Sequence, residues 1–254
     1  MYFHPASTGF VYSQETFPSQ NGTALAGWHF QSQAQPAKGI VVQFHGNGEN
    51  MSSHFLSVVW ACKYGYDVFV FDYQGYGISA GEHSFDNARR DAIASFKFIL
   101  NKRPDLPVIL LGQSLGGNIL LSAFSDFQPK GRIALVIIDS SYLSNQELAK
   151  HKVTENWFTW PFQPFAHLLI SDRFQPKENL RRISPIPLLV VHGTRDAVIP
   201  LSFGREIFEA AAAPKYFWKI PKGRHIDAWI GHGGLYRKKL LELLDAVLVD
   251  KANH

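Results

Sequence analysis

The chain has 254 residues, 46% hydrophobic and 18% charged, which excludes a disordered or collagen-like polypeptide and supports one well-buried domain spanning 1–254. Its 25 Lys and Arg against 21 Asp and Glu leave an excess of +4, too small and too scattered to point to nucleic acid. One cysteine, Cys62, excludes an intramolecular disulfide and a cysteine-cluster zinc site. The longest apolar run, Ile133 to Ile138, is too short to span a bilayer, and no signal-peptide pattern opens the chain, so the expectation is a cytoplasmic protein.

Taken in chain order, Ala24 to Phe30 alternates loosely and predicts a strand. Gly39 to Phe44 is a short apolar run that stops at His45-Gly-Asn-Gly48. Val58 to Cys62 predicts a buried helix face, with Cys62 in the core rather than reactive. Asp67 to Phe71 ends at Asp72-Tyr-Gln-Gly-Tyr-Gly77. Ser84 can cap a helix in which Ile93, Phe96 and Leu100 share a face, with Pro104 beyond its end. Pro107 to Leu111 ends at Gly112, and Arg132 to Ile138 ends at Asp139.

The next stretch has no strand-like run. Trp157, Phe158, Trp160, Phe162 and Phe165 crowd it, with Pro161 and Pro164 between them, and it reads as a small helical cap inserted over residues 141–182. Ile186 to Val191 then ends at His192-Gly193, Lys215 to Ile220 reads as the last strand, and Leu240, Leu244, Val247 and Leu248 share a face of a final helix. Short apolar runs with little alternation fit strands buried on both faces of a parallel sheet. Helices between them imply a three-layer α/β domain, whose ligands sit beyond the carboxyl ends of the strands.

The chemistry-bearing residues fall at those ends. Gly112-Gln-Ser-Leu-Gly116 matches G-x-S-x-G, with a predicted strand before it and a predicted helix after it. A chain that leaves a strand and enters a helix within one residue strains that residue, and the flanking glycines remove side chains that would collide. Ser114 is therefore the candidate nucleophile, the bland alternative being a turn that only packs tightly. A serine hydroxyl needs an adjacent base. His225, in the loop after the last strand, is the candidate, and His232 is the runner-up, while His192 ends a strand and is expected to pack under the sheet rim. The acid orienting the imidazole should follow a strand and precede His225. Asp196 fits, Asp139 is a rival one crossover earlier, and Asp227 is expected to be solvated. In His45-Gly-Asn-Gly48, small residues flank Asn47 and let backbone approach a substrate closely. A further amide would come from Leu115, the residue after the nucleophile.

With these residues in their order, the chain resembles the serine α/β-hydrolase superfamily, most of all small-capped bacterial hydrolases grouped with esterases, lysophospholipases and depalmitoylases. The resemblance rests on His45-Gly-Asn-Gly48, Asp72-Tyr-Gln-Gly-Tyr-Gly77, Gly112-Gln-Ser-Leu-Gly-Gly117, His192-Gly-Thr-Arg-Asp196 and Gly223-Arg-His225, spread over nearly the whole chain. It implies the α/β-hydrolase fold, Ser114 as nucleophile, Asp196 as acid, His225 as base, and backbone donors at Asn47 and Leu115. Gln74 departs from the pattern, since many relatives carry Arg there, and some relatives have an N-terminal membrane anchor.

The expected function is hydrolysis of carboxylic esters or thioesters of small or acyl-chain substrates through an acyl-enzyme. Acyl-protein thioesterase or lysophospholipase activity is the alternative, and a peptidase or a non-catalytic binding protein on the same fold is less favoured. No metal and no organic cofactor is expected, and the partner is a small-molecule ester or acyl substrate. Arg237-Lys-Lys239 reads as the solvated side of the last helix, with membrane-surface contact a minor alternative.

Overall fold

The computed structural model describes residues 3–154 and 176–252. Its sheet contains β1 (Tyr12–Pro18), β2 (Ala24–Phe30), β3 (Gly39–Phe44), β4 (Tyr66–Phe71), β5 (Val108–Gln113), β6 (Ile133–Asp139), β7 (Leu188–Gly193) and β8 (Lys215–Ile220), in the spatial order β1-β2-β4-β3-β5-β6-β7-β8. β1, β2 and β4 pair antiparallel, and every pair from β4 across to β8 is parallel. β3 to β7 are buried along their whole lengths, as expected of strands covered on both faces.

The sequence alone did not predict β1. Its Ser13, Gln14 and Glu15 are polar, and Phe17 is its one buried residue, because it forms the outer edge of the sheet. The turn that joins it to β2 closes through the Ser19 amide on the Thr23 carbonyl at 2.8 Å, with Gly22 at φ 84°.

Alternate side chains of each strand feed two cores. Ile40, Val42 and Phe44 enter one, and Val41 enters the other. The first core is closed by helices that include α2 (Phe85–Lys102) and α3 (Leu115–Ala123). Ser84 caps α2 as expected, accepting from the Asn87 amide at 3.1 Å, with Phe96 and Ile99 its deepest large side chains. The second core takes the short helix α1 (Met51–His54), the turns that follow it, and the C-terminal helix, which presents Tyr236, Leu240 and Leu244. Cys62 is fully buried there, and burial pushes its thiol up to about 12, so it is a core residue.

Between β6 and β7 the described chain holds α4 (Asn145–Thr154) and α5 (Lys177–Leu180). The aromatic run from Trp157 to Phe165, expected at the centre of the cap, lies outside the described residues. α6 (Leu201–Ala210) follows β7, and α7 (Leu235–Ala252) ends the described chain. No helix among the described residues is long and apolar enough to cross a membrane.

Candidate active site

The turn from β5 into α3 is held by backbone packing. Ser114 has φ 53° and ψ −122°, a conformation that costs a non-glycine residue about 1–3 kcal/mol and persists only where the surroundings impose it. A Cβ at Gly112 would lie 2.6 Å from Gly117 Cα, and one at Gly116 would lie 2.0 Å from the Phe44 carbonyl oxygen. Both glycines are thus required by close approach. The Ser114 amide donates to the Asp139 carbonyl at 2.9 Å, and its carbonyl accepts from the Gly117 amide at 3.0 Å and Ser141 Oγ at 2.7 Å. These bonds fix the backbone of Ser114. Its hydroxyl has no partner among the described residues, and the residue lines a cleft of about 590 Å³.

His225 lines the same cleft. It reaches that position through the loop after β8. The Gly223 amide donates to Ile220 O at 3.0 Å, the Arg224 amide donates to Asp227 Oδ2 at 2.8 Å, and the Ile226 amide donates to Ser140 Oγ at 3.3 Å. His225 Nδ1 lies 2.8 Å from Asp196 Oδ2, while Asp196 Oδ1 accepts from the amides of Val198 and Ile199, both at 2.8 Å. Burial by itself would raise the Asp196 carboxyl. The His225 bond and the two amides outweigh it and hold the group below the usual carboxylate range. Asp196 is therefore ionised at neutral pH and accepts from His225 Nδ1, which leaves Nε2 as the ring nitrogen free of the carboxylate.

The rivals separate by contact. Asp139 ends β6 fully buried, where burial pushes its carboxyl up to about 6 despite hydrogen bonds from Gln113 Nε2 at 3.0 Å and Ser140 Oγ at 3.2 Å. Among the described residues it makes no hydrogen bond with His225. His232 sits in the turn before α7, 3.4 Å from Asp227 Oδ1. Asp227, expected to be solvated, is half-exposed and also ties the Arg224 amide and His232 together. Arg237 also departs from the solvated role expected of it, since its guanidinium donates to the Trp229 carbonyl and lies 5.3 Å from the Trp60 ring centroid.

His192 is buried under the sheet rim as expected, but it also supports the acid. Its Nε2 donates to the Ile199 carbonyl at 2.8 Å and lies 3.5 Å from Asp196 Oδ2. Burial lowers its pKa and keeps it neutral.

The loop after β3 completes the cleft. A Cβ at Gly46 would lie 3.2 Å from Ser114 Cβ, so the backbone of this loop passes directly beside the serine, and Asn47 and Gly48 line the cleft. Leu115, half-buried, opens α3 next to Ser114. Two side chains missed by sequence reasoning strap the loop. Tyr76 Oη donates to Asn47 Oδ1 at 2.5 Å, and His54 Nε2 donates to the Gly48 carbonyl at 2.6 Å. Burial, with His45 stacked beside it at a centroid distance of 5.5 Å, lowers His54 to about 4, so it serves as a neutral donor. Tyr76 was visible only as part of Asp72-Tyr-Gln-Gly-Tyr-Gly77, and nothing in the sequence pairs that turn with Asn47. Gln74, where many relatives carry Arg, is buried and meets Asp91 with a neutral amide, Nε2 to Oδ1 at 2.6 Å.

The chain is similar to known proteins in sequence and in fold. YfhR of Salmonella typhimurium is 32% identical over 250 residues, covering 93% of this chain and 82% of that protein. Human ABHD12B is 27% identical over 208 residues, 77% of this chain and 57% of that protein. In fold, the chain is similar to the esterase Pf2001 of Pyrococcus furiosus, with a TM-score of 0.78 at 18% identity over 96% of this chain and 94% of that one. Residues 35–169, just over half of the chain, match the family described as serine aminopeptidase, S33. With that match and an eight-stranded, mostly parallel sheet flanked by helices, the chain belongs to the serine aminopeptidase S33 family of the α/β-hydrolase superfamily.

Proposed function

We propose that this hydrolase is a serine esterase that works through an acyl-enzyme. The observation that carries the reading is the meeting, in one cleft, of a strained strand–helix serine and a histidine whose Nδ1 is bound to a buried, ionised carboxylate. Ser114 Oγ attacks the ester carbonyl as His225 Nε2 takes its proton. The amides of Asn47 and Leu115 receive the developing oxyanion, which the passage of the Gly46 backbone beside Ser114 supports. Asp196 stabilises the imidazolium without itself taking a proton. His225 then returns the proton to the leaving alcohol, and the same imidazole activates the water that hydrolyses the acyl-enzyme.

Ser114→Ala is expected to abolish p-nitrophenyl ester turnover and fluorophosphonate labelling while the thermal unfolding midpoint stays near that of the native chain. Near-normal turnover in that variant would refute the assignment of the nucleophile. Thioesters and lysophospholipids present the same carbonyl chemistry and belong in the same substrate panel. The family description favours a second reading, in which the scissile bond is an amide. Aminoacyl p-nitroanilides test it directly: turnover faster than that of the matching esters would replace the esterase reading with a peptidase.

A further inference from the structure

At the end of the sheet opposite Ser114, the first residues of β6 and β8, the segment 182–187 that leads into β7 and the last turns of α7 line a groove of about 660 Å³. Its floor is apolar and includes Ile133, Ile186, Pro187, Tyr216 and Val247. Its rim carries Lys130, Arg182 and Lys251 against one carboxylate, that of Asp250.

Among the described residues, little neutralises this excess of positive charge. Among the described acids beyond the groove, Asp105 is partnered with Arg103 at 3.0 Å and Asp245 with Lys38 at 3.3 Å. Lys251 Nζ donates to the carbonyls of Gly131 at 2.5 Å and Ile133 at 3.1 Å, which orient the ammonium but do not balance its charge. Lys130 Nζ lies 5.0 Å from the Phe124 ring centroid. Burial first, and the neighbouring Arg132 second, make the charged form of Lys251 less favourable than it is in water. A second hollow of about 370 Å³ shares Lys251 and continues to Arg132 and Leu248.

Size and chemistry select the occupant. The volume lies within the range of small-molecule sites, about 300–1,000 Å³, which is too small for a folded partner and larger than a free inorganic anion needs. An apolar floor rewards burial of hydrocarbon at about 25 cal/mol per Å². A cationic rim rewards one negative head group with charge-assisted hydrogen bonds. We propose that this groove binds an amphipathic carboxylate, with the acid group among Lys130, Arg182 and Lys251 and the hydrocarbon tail over Tyr216 and Val247. The site shares no residue with the Ser114 cleft and stands whether or not Ser114 is a nucleophile.

Calorimetric titration of the full chain with dodecanoate, below its micellar concentration, tests the proposal. Saturable binding at one site is expected, with acetate and dodecanol each weaker by about tenfold or more, because each lacks one half of the match. The double variant Lys130→Ala/Arg182→Ala is expected to weaken dodecanoate by about tenfold or more, and the cleft variant His225→Ala to leave it unchanged. Absence of saturable binding to the native chain, equal affinity for dodecanol, or loss of binding in His225→Ala with the double variant unaffected would overturn it. The ligand series on the native chain decides even if the double variant does not fold.

Discussion

At the scale of single residues, the two buried aspartates at neighbouring strand ends have opposite electrostatic fates. Asp196 is held below the usual range by His225 and two amides, whereas Asp139 is pushed up to about 6 by burial. Asp196→Asn is expected to lower kcat by about 10⁴-fold through loss of the correct imidazole tautomer. Asp139→Asn is expected to keep kcat within a few-fold, and steady-state kinetics on one ester separates the two. Stability gives a second contrast. Ionised Asp139 costs the folded chain about 3 kcal/mol, the equivalent of a rise from 3.8 to about 6. That cost is fully present above pH 6 and disappears as pH falls towards the unfolded value near 4, so this group's contribution to stability rises on acidification. The Asn variant should lack that component when melting curves are compared between pH 4 and 7.

Tyr76 carries a separate expectation. Burial raises its phenol above the ordinary value, so it is a neutral donor to Asn47. Tyr76→Phe frees the Asn47 side chain, and kcat is expected to fall by about tenfold with KM little changed. This is smaller than the about 10²–10³ seen when an oxyanion donor is lost outright.

At the scale of elements, much of the framework was legible. Ala24–Phe30, Gly39–Phe44 and Lys215–Ile220 are strands at the predicted bounds because each apolar run is bracketed by turn residues. β5 runs past Leu111 to Gln113, because Gln113 pairs with Asp139 and bonds the Gln43 side chain at 2.7 Å, a polar contact inside the sheet that hydropathy does not reveal. The strand–helix turn at Ser114 was legible for a steric reason, which can be tested. Gly116→Ala drives a Cβ into the carbonyls of Phe44 and His45 at 2.0 and 2.5 Å, and backbone cannot yield there. A loss of roughly 3 kcal/mol or more is expected. Gly131→Ala, where a Cβ meets nothing within 4 Å, should unfold at the native temperature in the same thermal scan.

At the scale of the whole molecule, Ser114, Asp196 and His225 were legible because each stands at the end of a recognisable strand and the fold class dictates where strand ends converge. Tyr76, His54 and the supporting role of His192 were not, since each depends on which loop lies against which in three dimensions. The cationic groove at the opposite end was equally hidden. Its residues come from segments as far apart as Lys130 and Lys251, and on the sequence those charges look like scattered solvated ones.

The position of β8 at the border of the sheet has one further consequence. Lys219 is exposed on this strand, while Lys215 is half-buried and anchored on the Phe208 and Ala211 carbonyls at 2.7 and 2.8 Å. An exposed lysine on a border strand disfavours pairing with a second copy, because its charge would be crowded at the new ladder. That charge is expected to discourage growth of the parallel array through this margin.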